Sequence, residues 1–179
     1  MSSIMIDTIK SLGKVKHAVG NLNNWRVEDL NLGAIVVEKA MDNFTLGELG
    51  FDEKGNRTVK PLSANTVKGV LVASSEDYIK EFETISAFYN GIGDRARILK
   101  LVSMKRIDVS NFEGEVEIAS KAIKNGQKVH YDATKKKYIV SNNGADHADY
   151  ATAVNKFVVV NAEVGELDGQ SLIRIEVVE

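Results

Sequence analysis

From Gly33 onward the chain is written in short runs of β-branched and aromatic residues, cut every ten or so positions by glycine, asparagine or aspartate. That cadence constrains the fold more than any other feature. Strands of about four to eight residues between turn signals build barrels or sandwiches rather than helical bundles. Extended runs are expected at residues 33–37, 44–49, 57–59, 67–73, 96–104, 116–118, 128–131, 137–140, 157–160 and 172–177. The turn at residues 52–56, with Gly55 and Asn56, connects two of them, and the run at 44–49 is placed to pair with that at 33–37. Residues 128–140 read as a hairpin around an Asp132-led turn. In the last run, Leu172, Arg174 and Glu176 alternate with Ile173, Ile175 and Val177, one wet face and one buried.

One segment breaks the pattern. Ser74 and Asp77 have capping-box-like spacing, and Tyr78, Phe82, Ile85 and Tyr89 fall on one helical face before Asn90 and Gly91 stop it. The expected fold class is therefore α+β and β-dominated: a compact barrel or sandwich with one main helix over residues 75–89. A second, short helix is expected over residues 145–154. Residues 1–30, interrupted by Gly13, Gly20 and an asparagine run, read as an N-terminal arm or extension on a single β-rich domain of residues 31–179. Trp25 is placed as a packing anchor where arm meets body.

Composition narrows the chemistry. A chain of 179 residues, 44% hydrophobic and 27% charged, can bury a core without a metal or disulfide. The absence of cysteine removes disulfides, thiolate zinc sites, iron–sulfur clusters and a cysteine nucleophile together. No apolar run approaches the roughly 18 residues that span a bilayer, and the first twenty residues carry no signal-peptide core. A net charge of −2 argues against direct nucleic-acid binding.

The charge is unevenly placed. Lys10, Lys14, Lys16 and Arg26 face only Asp7 in the first 26 residues, and Arg95, Arg97, Lys100, Lys105 and Arg106 form a stretch without an acid. With Trp25, these are the candidate partner-binding residues, a docking surface for an acidic neighbour. Lys135, Lys136 and Lys137 read as a solvated hairpin tip, and Glu113, Glu115 and Glu117 as a charged strand edge.

Catalytic motifs fail on context. Residues 91–96 spell G-x-G-x-x-A, but a dinucleotide site needs a strand before and a helix after, and here the order is reversed. No G-x-S-x-G elbow occurs. Asp146, His147 and Asp149, with His130 and Asp132, carry ligand-type side chains, but aspartate near a helix start is commonly a cap, so no metal, cofactor or catalytic residue is expected. A small metal- or ligand-binding barrel enzyme is the alternative these acids leave open.

Residues 122–132 (AIKNGQKVHYD) followed by 136–140 (KKYIV) resemble the hairpin of capsid decoration, or cement, proteins of tailed bacteriophages. Residues 35–44 (IVVEKAMDNF) and 88–98 (FYNGIGDRARI) also look like small virion proteins of phages and prophages of low-GC Gram-positive bacteria. The resemblance implies a structural protein without an active site, made in the host cytoplasm and bound to the capsid exterior. The implied partners are the major capsid protein and neighbouring copies of itself, as a homo-oligomer or lattice-bound subunit that reinforces the shell. A neck, tail or baseplate component is the nearest alternative; a tail-tube ring would expose a long hairpin, and the loops expected here are short.

Overall fold

The computed structural model describes residues 16–23, 25, 32–74, 85–114, 123–142 and 144–178. Their strands are, in chain order, β1 (Gly20–Asn23), β2 (Leu32–Val36), β3 (Leu46–Phe51), β4 (Arg57–Pro61), β5 (Val70–Val72) and β6 (Arg95–Lys100). The second half adds β7 (Arg106–Val109), β8 (Phe112–Gly114), β9 (Lys128–Asp132), β10 (Lys137–Val140), β11 (Lys156–Leu167) and β12 (Gln170–Val177).

Two β units result. Strands β2-β4-β3-β5-β6 close into a five-stranded barrel, and a seven-stranded sheet runs β1-β7-β12-β11-β9-β10-β8. Pairing is antiparallel except at β2/β4 and β10/β8. The fold is β-dominated, as the turn cadence implies. The run at 44–49 does not pair with that at 33–37: β3 lies between β4 and β5, while β2 bonds β4 and β6. The Asp52 turn makes a β3–β4 hairpin, because the Asp52 carboxylate accepts from the amides of Lys54 and Asn56 at 2.9 and 2.8 Å.

Alternation explains how the units join. On β5, Val70 and Val72 point into the barrel with Ala34, Val36, Val59, Ala96 and Ile98. Leu71, between them, points outward with Leu46 and Leu99 into the core of the sheet. That larger core also holds Ile107, Val109, Tyr131, Tyr138, Phe157, Ile173 and Ile175, so the barrel's outer wall is the sheet's cover. Full burial of such side chains contributes about 1.5–3 kcal/mol each.

Polar bonds fix the seam. Asn155, 2% exposed, accepts from the Gly69 amide at 2.8 Å and donates to the Val67 carbonyl at 2.7 Å. The Tyr138 hydroxyl donates to the Phe44 carbonyl at 3.0 Å. Buried groups of this kind are tolerated because they are bonded.

The expectation of one main helix is not supported. Residues 75–84 lie outside the described residues; the remainder is a single 3-10 turn, Ile85–Ala87, and no α-helix occurs among the described residues. By Asn90 the chain is extended, in a bridge with Met41, and Tyr89 is 48% exposed against the His17 ring rather than packed on the sheet. The expected helix at 145–154 is likewise only a 3-10 turn, Ala148–Tyr150.

Within the segment read as an arm, Gly20–Asn23 is the edge strand of the sheet, paired with β7. Its glycine is required there: a Cβ at position 20 would meet the Asp108 carbonyl oxygen and lie 2.9 Å from Phe44 Cγ. Behind this edge, Arg174 grips the buried Asp108 with two bonds, 2.7 and 3.1 Å, and Asn23 adds a third at 3.3 Å.

The last hairpin is longer than its sequence signal. β11 runs through Gly165 to Leu167 with register shifts, and Asp168 and Gly169, at φ 50° and 67°, make the two-residue turn that suits strand twist. Its tip folds back on the body: Asp168 accepts from Lys16 Nζ at 3.2 Å and from the Ser86 amide at 3.1 Å.

Candidate functional site

Between barrel and sheet lies a cleft of about 370 Å³. Its sheet side is made by Ser110 and Asn111 before β8, by Phe112, and by the turn joining β9 to β10. Its barrel side is made by residues 40–42, Thr45, Leu46 and Pro61. Tyr131 lines the depth, where burial pushes its phenol far above the ordinary value.

Four lysines, Lys16, Lys135, Lys136 and Lys137, line this cleft. The lysine run, read from sequence as a solvated tip, is therefore partly a cleft wall. Lys135 and Lys137 both donate to the Glu113 carboxylate, at 2.8 and 3.2 Å. Those bonds, Lys135 first, hold Glu113 below the usual carboxylate range, and Glu113 in turn raises Lys135. The lining hydroxyls are engaged with backbone: Thr45 donates to the Asp42 carbonyl at 2.7 Å, and Ser110 accepts from the Val19 amide at 2.9 Å. At the rim, His17 Nδ1 and Asp42 Oδ1 are 2.7 Å apart. Ammonium groups around a polar cleft suit an anionic side chain of a partner better than they suit nucleophilic attack.

The sequence-predicted docking residues separate into distinct places. Lys10, Lys14 and Arg26 lie outside the described residues. Arg95 and Arg97 share the outward face of β6 on the barrel, Arg95 exposed and Arg97 half-buried, whereas Lys100, exposed at the end of the strand, has the opposite parity, that of Ala96 and Ile98. Arg106 begins the next strand, on the sheet, with Lys105 just before it, beside Trp25. The Trp25 indole donates to the Arg106 carbonyl at 2.8 Å, and Lys105 Nζ sits 5.5 Å from the ring centroid. Arg106 is paired with Glu176 at 2.7 Å. Lys16 belongs to the cleft. One basic stretch in sequence is thus two patches in space, because β6 and β7 belong to different sheets.

The ligand-type residues also rearrange. Asp146 pairs with Lys128 at 2.7 Å, and Asp132 caps the hairpin turn by accepting from the amides of Thr134 and Lys135. His130, His147 and Asp149 converge instead, with their ligand atoms within 4.8 Å of one another.

The family described as YonC prophage protein matches residues 13–178 of the chain. The SPbeta prophage-derived uncharacterized protein YonC of Bacillus subtilis (strain 168) is 42% identical over 175 residues, covering 95% of this chain and 96% of that protein. No solved structure matches.

Proposed function

Because this chain belongs to the YonC prophage protein family, we propose that it is a structural protein of the phage particle, a capsid decoration protein bound to the outer shell. It acts by binding, and its partners are the major capsid protein and neighbouring copies of itself. The observation that carries this reading is the joint between barrel and sheet. One continuous core, closed by the buried bonds of Asn155 and Tyr138, makes a stiff two-unit β body. A stiff body can bridge shell subunits and resist their separation, because strain on one unit is passed to the other through close packing. Arg95, Arg97 and Lys100 on β6 and the lysine-lined cleft supply cationic surface for acidic partner groups.

A second reading, a neck or tail ring component, is favoured by one feature: the 12-residue β11 and its hairpin, longer than the sequence signal. Against it, the tip of that hairpin is bonded to Lys16 and Ser86 of its own chain.

Quantitative mass spectrometry of purified phage particles separates the readings. Decoration requires a copy number close to that of the major shell subunit; a dozen or fewer copies assigns the protein to neck or tail. Absence from the particle overturns both.

A further inference from the structure

We propose that His130, His147 and Asp149 form a binding site for a borderline-soft divalent ion, Zn²⁺ foremost, that pins the loop after β10 to strand β9. Two rigid elements present the ligands. His130 sits on β9, fully buried among paired strands, so its ring is held by packing. His147 and Asp149 belong to the 3-10 turn Ala148–Tyr150 and its cap, anchored by the His147 amide on Ser141 Oγ at 3.1 Å and by the Val154 amide on the Asn65 carbonyl at 3.0 Å. The two imidazole rings lie 4.9 Å apart, centroid to centroid.

The donor atoms lie close together. His147 Nδ1 is 3.8 Å from Asp149 Oδ2, and all three ligand atoms fall within 4.8 Å of one another. Bonds of about 2.0–2.2 Å place such atoms roughly 3.3–3.5 Å apart around a tetrahedral ion, so binding needs only that the turn draw in toward β9. Nδ1 of His147 accepts from the Asp149 amide at 3.1 Å. The ion takes over that lone pair, exchanging one hydrogen bond for a coordinate bond. Exposure is graded along the set, with His130 buried, the His147 side chain 23% exposed and that of Asp149 54%, which gives the ion a path from solvent and leaves the fourth position to water.

Nearby charge selects the ion. Lys128 and Lys156 stand 5.2 and 5.3 Å from the Tyr150 ring, and that ring is 6.5 Å from His130. Asp146 is engaged by Lys128. With one carboxylate among these cations, the site is poor for calcium or magnesium, which need several oxygen ligands. Two imidazoles with one carboxylate instead suit Zn²⁺, Ni²⁺ or Co²⁺.

The test uses the untagged full chain, treated with chelator and dialysed. Calorimetric titration with Zn²⁺ is expected to show one equivalent bound and a raised thermal midpoint, and Co²⁺ to give the visible absorption of a tetrahedral site. His147→Ala and Asp149→Ala, both at the solvent side, are expected to keep the fold by circular dichroism. Each should weaken Zn²⁺ binding at least by the roughly 100-fold that outer-shell changes can reach. His17→Ala, at the separate His17–Asp42 pair, should leave binding unchanged. Absence of saturable binding, or affinity retained in either site variant, overturns the proposal.

Discussion

In the core of the five-stranded barrel the side chains are mostly small, Ala34, Val36, Val59, Val70, Val72 and Ala96, with Ile98 and Met41 the largest. The covered face of the sheet carries Tyr131, Tyr138 and Phe157 instead, stacked edge to face at 5.1 and 5.3 Å between centroids. Geometry accounts for the contrast. Five strands curled on themselves enclose too little room for aromatic rings, whereas one side of an open sheet must be covered by something thick. The barrel fills its own interior; the sheet borrows Leu46, Leu71 and Leu99 from the barrel's outer wall. The sheet is therefore the dependent unit, and perturbing its aromatic layer tests whether both units form one cooperative body.

Phe157→Ala carries the largest expected effect. Phe157 is fully buried and packs edge-on against Tyr138, so the deletion removes a ring and leaves a cavity, at a cost of about 3–5 kcal/mol. With a shared core, urea unfolding should remain a single transition, displaced to lower denaturant, by both far-ultraviolet circular dichroism and Trp25 fluorescence. Two separated transitions would break the comparison, showing a barrel that stands without its sheet.

Tyr138→Phe acts on the seam alone. The ring keeps its packing while the Phe44 carbonyl loses the hydroxyl that bonds it, in a buried setting. The expected loss is about 1–3 kcal/mol with an unchanged denaturant slope, since the surface exposed on unfolding stays the same. A neutral result would show that packing without this bond holds the units together.

How much of this was legible in the sequence follows from which interactions are local. The β9–β10 hairpin is readable because Asp132 caps its own turn within three residues, and β12 because its alternation marks one buried face. Leu172 departs from that alternation: its position marks it as wet, and it is 7% exposed. β7 was hidden because Arg106 and Asp108 break its apolar run; Asp108 is buried only because Arg174, 66 residues on, neutralises it. The cleft was equally hidden. Lys16 and the 135–137 run are brought together by two sheets, and nothing in their local pattern separates a cleft wall from a solvated tip. His130 and His147 are recognisable in the sequence as ligand types, but their convergence depends on a loop anchored by Asn65.

Glu113→Gln probes the far edge of the sheet and has the smallest expected effect. In the folded chain the hydrogen bonds from Lys135 and then Lys137 lower the affinity of Glu113 for a proton below its ordinary value of 4.5. A group depressed in this way stabilises the fold fully above its unfolded value, and that contribution fades as pH falls through the folded one. The thermal midpoint of Glu113→Gln should therefore lie slightly below that of the parent chain at neutral pH and converge with it in acid. Because the carboxylate is over a third exposed, added salt should shrink the neutral-pH difference as well. Midpoints measured across pH at two salt concentrations check both dependences. A difference that grows on acidification would mean that Glu113 is held by something other than these two lysines, and the edge would then be tied into the core more tightly than its exposure implies.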